Sequence, residues 1–176
     1  MVRINIVEDC RDSRNLIYGL GESDFGFLFV VADYCENIYY ASFSSDGNIK
    51  SEILNIKTYW PAANFSEDNV KIDRMIKNIF DKHNSHELNL KLTGTEFQVS
   101  VWKALINIGE GSTVCYEDVA KAIGKPKAVR AVASAVKNNK LAYLIPCHRV
   151  LSKNGGLNEY KWGVHRKLKL LTYEKK

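Results

Sequence analysis

The chain has 176 residues, 45% of them hydrophobic and 26% charged, with a formal net charge of +5; that is enough for one ordinary domain or two small ones. No apolar run approaches the ~18 residues of a membrane span, and Met1–Cys10 carries acids where a signal peptide needs an apolar stretch. Cys10, Cys35, Cys115 and Cys147 are widely spaced with no C-x-x-C pair, so the composition argues against a membrane protein or a disulfide scaffold and for a soluble, cytoplasmic protein with free thiols.

In chain order, Leu16–Leu20 reads as a strand. Phe25–Ala32 and Asn37–Phe43 are rich in Phe, Val, Ile and Tyr and flank Asp33–Glu36, which predicts an antiparallel hairpin or meander. Ser44-Ser45-Asp46-Gly47 closes it. Ile49, Ile53, Leu54 and Ile56 then predict a helix ending near Trp60-Pro61. Ile72, Met75, Ile76, Ile79 and Phe80 fall on one face of a second helix. Leu88–Leu92 is a short strand or connector, broken by Gly94.

The second half reads as mostly helical. Thr95 and Gln98 have capping-box spacing, and Phe97, Val101, Leu105 and Ile108 form an apolar stripe. Gly109–Ser112 is a loop. Tyr116–Ile123 is a short helix, with Gly124 and Pro126 as its stop. Ala128–Val136 is another, ended by Asn138-Asn139. Leu141–Ile145 is an apolar run into Pro146. Val164, Leu168 and Leu171 stripe a last helix. The boundary divides residues 1–90, an α/β domain, from residues 91–176, a mostly helical one.

Charge follows the same division. Residues 1–90 hold 9 Lys/Arg and 14 Asp/Glu, and residues 91–176 hold 16 and 6. From Val119 to Asn158 there are eight Lys/Arg and no acid. A basic half joined to an acidic one points to a polyanionic partner. Two short helices joined by Gly-Lys-Pro-Lys have a helix-turn-helix pattern. The second carries Ala128, Ala131, Ala133, Ser134 and Ala135, small side chains that allow close approach, with Lys127 and Arg130 available for phosphate contacts.

Ile145-Pro146-Cys147-His148-Arg149-Val150 is the stretch richest in chemistry. A lone cysteine in an apolar run is often only a small buried residue. Here Pro146 fixes the backbone before the thiol. His148 follows it, near enough in sequence to act through a water as the base that an ordinary thiol needs at neutral pH. Arg149 fits a structural pairing with a carboxylate.

With its surroundings, this pentapeptide from Pro146 to Val150 resembles the active-site signature of the O6-alkylguanine-DNA alkyltransferases, the methylated-DNA–protein-cysteine methyltransferases. The resemblance covers Gly94 to Glu174. It includes Gly94-Thr95-Glu96-Phe97-Gln98, Val101-Trp102, Tyr116, the run from Gly124 to Val132, Asn139 and Tyr160-Lys161-Trp162-Gly163. It is nearest to the C-terminal half of the bacterial adaptive-response proteins and to stand-alone bacterial relatives. Residues 1–90 follow the family only in their order of elements, which implies a ribonuclease-H-like domain with an antiparallel sheet plus helices.

The resemblance implies direct-reversal repair. O6-alkylguanine, and also O4-alkylthymine, would be flipped from double-stranded DNA and the alkyl group moved irreversibly to Cys147 in a single turnover. It implies His148 as base through a bridging water, Glu174 as its orienting partner, and Tyr116 as proton donor to the leaving guanine. Arg130 would enter the duplex beside Lys127, Ala128, Ala131 and Ala133. Asn139 would tie the helix-turn-helix to an active-site strand. Tyr160, Val150, Val136 and Trp162 would line the substrate pocket with Asn139. The implied protein needs no cofactor and no metal, and works as a monomer away from membranes. Cys10, Cys35, His83 and His86 are poorly spaced for the zinc site of some relatives. Cys115 stands where many relatives have Ser, Ala142 where some have Pro and Trp162 where others have Gly; the last two suggest a tighter pocket. The alternative within the same fold is a non-catalytic, alkyltransferase-like damage sensor, which lacks the acceptor cysteine.

Overall fold

The computed structural model describes residues 3–7, 15–81, 87–157 and 159–175. Its elements run β1 (Arg3–Ile6), β2 (Asn15–Ser23), β3 (Gly26–Ala32), β4 (Ile38–Ser44), α1 (Ile49–Tyr59), β5 (Asn64–Glu67), α2 (Asn69–Phe80) and β6 (Glu87–Leu90). They continue as α3 (Glu96–Ile106), β7 (Val114–Cys115), α4 (Tyr116–Ala122), α5 (Val129–Lys137), β8 (Val150–Leu151) and α6 (Val164–Glu174). The chain divides into two compact units, Met1–Leu92 and Thr93–Lys176: a mixed-sheet α/β unit and a helical one.

The first unit is a six-stranded sheet in the order β1-β6-β4-β3-β2-β5. The antiparallel β2–β3–β4 meander is at its centre, where the aromatic and β-branched runs predict it. β4 is buried along its whole length, so its near-continuous apolar run fits a strand covered on both faces. Alternation sorts β2 between two helices. Leu16, with Phe29, Val31, Tyr40 and Ile56, forms a cluster against which Tyr18, Leu20, Ile49 and Ile53 pack. The other face carries Gly19 and Gly21, and α2 lies directly on them. A Cβ at Gly19 would stand 2.9 Å from the Ile72 side chain, and one at Gly21 2.7 Å from that of Ile76. Leu54, predicted with the α1 core stripe, is exposed; only Ile56 of that helix is fully buried. Two strands of this unit went unpredicted. β1 and β5 are four-residue edge strands, too short and too polar to show a period.

In the second unit Trp102 lies at the centre. It is buried, and its indole N–H donates to Ala135 O at 2.9 Å, tying α3 to α5. Gly94 is there for space: a Cβ would sit 2.7 Å from the Trp102 ring. The Thr95–Gln98 capping box forms, Gln98 N to Thr95 Oγ1 at 3.2 Å and Thr95 N to Gln98 Oε1 at 3.0 Å. Gly124, at φ +70°, ends α4; its N–H donates to Lys121 O, and Lys125 N to Ala120 O.

The α6 stripe differs from the predicted one. Val164 and Leu168 are largely exposed, and the buried face is Lys167, Leu170, Leu171 and Glu174. Reading only apolar residues rotated the helix away from its true face. A lysine and a glutamate are buried because each has a partner inside. Among the described residues no helix is long and apolar enough to cross a membrane.

Candidate active site

Residues 141–146 form no strand. Pro146 lacks an N–H, and Cys147–Arg149 make one turn of 3-10 helix. The implied active-site strand is therefore replaced by turns, because the Asn139 side chain does what a neighbouring strand would do. Its Nδ2 donates to Ile145 O at 3.0 Å and Leu141 O at 3.3 Å, and its Oδ1 accepts from Leu141 N at 2.9 Å. The same Nδ2 lies 3.2 Å from Cys147 Sγ. Asn139 is wholly buried, so one amide both shapes the backbone and touches the sulfur.

Cys147 is 5% exposed. Burial pushes its thiol up from the usual range, against the pull of the Asn139 amide and of Lys167, Tyr160 and Lys161 nearby. The resting group is a thiol, not a thiolate. Tyr160 has a buried hydroxyl without a hydrogen-bond partner of ordinary geometry; burial raises it well above its usual range, and the adjacent Cys147 adds to this.

His148 is fully buried, with Nε2 2.7 Å from Glu174 Oε1. Burial lowers its pKa against the carboxylate's opposing effect, so the ring is neutral at physiological pH. The short contact to an ionised acceptor places the ring proton on Nε2. Nδ1 is then the basic nitrogen, and it is buried without a hydrogen-bond partner. Arg149 takes both Glu174 oxygens, Nε to Oε2 at 2.9 Å and Nη2 to Oε1 at 2.8 Å, and also bonds Ile108 O. Gly111 N adds a contact to Oε2 at 3.4 Å. Burial alone would raise the Glu174 carboxyl, but the hydrogen bonds and charges of His148 and Arg149 hold it at about 2.

A cavity of about 860 Å³ opens onto the thiol, within the usual range for a small-molecule or base pocket. Cys147, Tyr116, Tyr160, Val136 and Ala133 line it, together with Ser134, Lys137, Glu159, Lys161 and Lys167. Three residues expected in the wall stand behind it. Asn139 is buried under Cys147. Val150 is buried, and its carbonyl accepts from Lys167 Nζ at 2.7 Å. Trp162 packs edge-on against Tyr160 at 5.3 Å. Ala142 is buried away from the cavity as well. The two departures that suggested a tighter pocket therefore lie outside its lining, Trp162 backing the wall residue Tyr160.

α5 turns Val132, Ala135 and Val136 inward and leaves Arg130, Ala131, Ser134 and Lys137 exposed. Lys127 is exposed just before it, and Ala128 is its N-cap rather than its first turn. Of the small-residue, basic face read from the sequence, Lys127, Arg130 and Ala131 are on the surface, Ala128 and Ala133 are half-buried, and Ala135 packs inward. At Cys115 a capping box forms with Asp118, whose carboxylate accepts from Cys115 N at 2.9 Å.

A sequence model of the 6-O-methylguanine DNA methyltransferase DNA-binding domain matches residues 96–176. The inducible methylated-DNA–protein-cysteine methyltransferase of Bacillus subtilis is 37% identical over 121 residues, which cover 66% of this chain and 68% of that protein. The chain belongs to that family. The bifunctional transcriptional activator/DNA repair enzyme Ada of Escherichia coli is 44% identical over 126 residues; they cover 69% of this chain but 36% of Ada, so the chain matches about a third of that relative. Among solved structures, Mycobacterium tuberculosis O6-methylguanine methyltransferase is 30% identical with a TM-score of 0.71, covering 91% of this chain and 93% of that one. The same organism's OGT in complex with DNA gives 0.70 at 28% identity, covering 92% of each chain.

Lys137 and Glu159 in the cavity wall escaped the sequence reading, as did Lys167 and Tyr143. Lys167 is 1% exposed, its pKa lowered by burial and pulled back by Cys147. It was legible in principle: Lys167, Leu170, Leu171 and Glu174 are spaced i, i+3, i+4 and i+7. Tyr143, at φ +66°, lays its ring within 4° of parallel to that of His148, 6.1 Å away. Nothing in Leu-Ala-Tyr-Leu announces a left-handed residue. For zinc, Cys10, His83 and His86 lie outside the described residues; among those described, no group of three or more His, Cys, Asp or Glu is placed to hold a metal.

Proposed function

We propose that this protein reverses DNA alkylation by accepting the alkyl group of O6-alkylguanine on Cys147. The single observation that carries the reading is the buried thiol in the wall of a cavity of about 860 Å³, large enough to admit a nucleotide, backed by the buried His148–Glu174–Arg149 group. O6 of a paired guanine is inside the stack, so in-line attack on its alkyl carbon requires an everted nucleotide. The Cys147 proton passes to His148 Nδ1 through one water while the S–C bond forms and the C–O6 bond breaks. Tyr116, at the start of α4 and in the cavity wall, returns a proton to the departing guanine. The thioether has no good leaving group, so each molecule acts once. No cofactor enters this scheme.

In this reading α4 and α5 are a helix-turn-helix whose α5 face, with Arg130, Ala131 and Lys127, lies against the duplex. Residues 1–90 are a ribonuclease-H-like domain and residues 91–176 the DNA-binding and alkyl-acceptor domain. The protein acts as a monomer, one everted base to one cavity, in the cytoplasm.

The test is intact-mass measurement after incubation with a duplex containing O6-methylguanine. The expected result is one adduct of about 14 Da, a methyl for a hydrogen, mapped to Cys147 and absent in Cys147→Ser. Lesion-specific binding without an adduct overturns the transfer and leaves the non-catalytic damage sensor.

A further inference from the structure

Between Asp118 and the buried Glu174 the sequence has one acidic residue, Glu159, against twelve Lys and Arg. Its position is specific. The Glu159 side chain is 95% exposed and forms part of the cavity wall, with Oε2 3.9 Å from Lys137 Nζ. Lys137 is the last residue of α5 and is itself 77% exposed. The two other cavity lysines are held by the protein: Lys161 Nζ donates to Asn139 O at 3.0 Å and Lys167 Nζ to Val150 O at 2.7 Å. Lys137 is the one whose ammonium faces solvent at the mouth, and there it meets a carboxylate.

A solvated pair of this kind does little for folding. What it changes is the local field, on the face where the proposed duplex would lie. We propose that Glu159 stands in for a DNA phosphate at Lys137, so that duplex must displace it to gain that contact and undamaged DNA is held more weakly. This rests on the DNA-binding reading above. Glu159 is thereby an affinity-setting residue at the cavity mouth, not a catalytic one.

The experiment measures Kd for an undamaged duplex by fluorescence anisotropy across a salt series. It uses the full chain, Glu159→Gln, Lys137→Gln and the double variant. Both positions are exposed, and unchanged melting midpoints check that folding is intact. Glu159→Gln is expected to tighten binding about two- to fivefold at low salt with the log Kd–log salt slope little changed, since Lys137 meets the same phosphate in both proteins. Lys137→Gln is expected to weaken binding and to lower the slope by about 0.9, and adding Glu159→Gln to it to gain almost nothing. An equal gain in both backgrounds overturns the proposal, since the acid then acts through the general field. So does a Glu159→Gln affinity equal to that of the unsubstituted protein. Absence of any salt-dependent duplex binding by the unsubstituted protein overturns the repair reading, and this inference with it.

Discussion

Glu174 Oε1 lies 2.7 Å from His148 Nε2, and neither side chain is exposed to solvent. The same carboxylate receives the Arg149 guanidinium through two hydrogen bonds. One residue on α6 thus sets the tautomer of the proposed base and neutralises the buried cation beside it. Glu174→Gln is expected to leave Arg149 buried without a counter-charge, at a cost of about 3–5 kcal/mol. It is also expected to slow alkyl transfer on the order of a hundredfold. Chemical denaturation and single-turnover kinetics measure the two effects; a stable, fully active variant would remove Glu174 from both roles.

The same pair makes the fold acid-sensitive. Glu174 ionises at about 2 when folded against 4.5 ordinarily, so the folded chain holds fewer protons there. Its contribution, about 3 kcal/mol, is fully present above pH 4.5 and is lost as pH falls toward 2. His148 is held below its ordinary 6.5 by burial, so the unfolded chain takes up that proton first and stability begins to fall below pH 6.5. The melting midpoint is expected to drop below pH 6.5 through His148 and further between pH 4.5 and 2 through Glu174. A profile flat from pH 7 to pH 2 in calorimetry would contradict both assignments.

Gly94 allows the Trp102 ring its place. With ring carbons 2.7 Å from where a Cβ would stand, Gly94→Ala is expected to cost about 1–3 kcal/mol through overpacking. Gly155, where a Cβ meets nothing within 4 Å but φ is +76°, tests the other cause. Gly155→Ala is expected to cost about 1 kcal/mol from backbone strain alone. Urea titrations of the two variants separate crowding from strain. A Gly94→Ala variant as stable as the unsubstituted protein would mean that the Trp102 contact carries no penalty.

If the α5 face meets DNA, Lys127→Gln is expected to weaken binding to damaged and undamaged duplex alike, lowering the salt slope by about 0.9. Arg130→Ala is expected to depress alkyl transfer more than duplex affinity, because its proposed role is to fill the space of the everted nucleotide. A matched pair of binding and single-turnover measurements decides. Equal effects of the two substitutions on transfer would count against the insertion role.

Much of the site was legible in the sequence because its chemistry is contiguous. Cys147, His148 and Arg149 are neighbours, and the basic, small-residue α5 was visible as a run. The meander was legible because β-branched and aromatic residues cluster there. What stayed hidden depends on tertiary partners. Lys167 looks like a surface charge until the carbonyl of Val150 is in place beside it, and Glu174, named by resemblance as the partner of His148, shows its second tie to Arg149 only in the fold. Asn139 was recognised by resemblance, but its hydrogen bonds to Leu141, Ile145 and the sulfur exist only once the chain has turned at Pro146. β1 and β5 owe their pairing to neighbouring strands rather than to their own residues.

The nearly complete enclosure of the Cys147 sulfur has a consequence for how long a molecule stays useful. Under the proposed chemistry each copy is a stoichiometric reagent, and any stray oxidant or electrophile that reaches the acceptor spends it. A protonated sulfur behind protein walls reacts slowly with such agents, whereas Cys35 lies open to them. The fold thus works as packaging: it preserves shelf life between lesions and leaves activation to the base that fits the cavity.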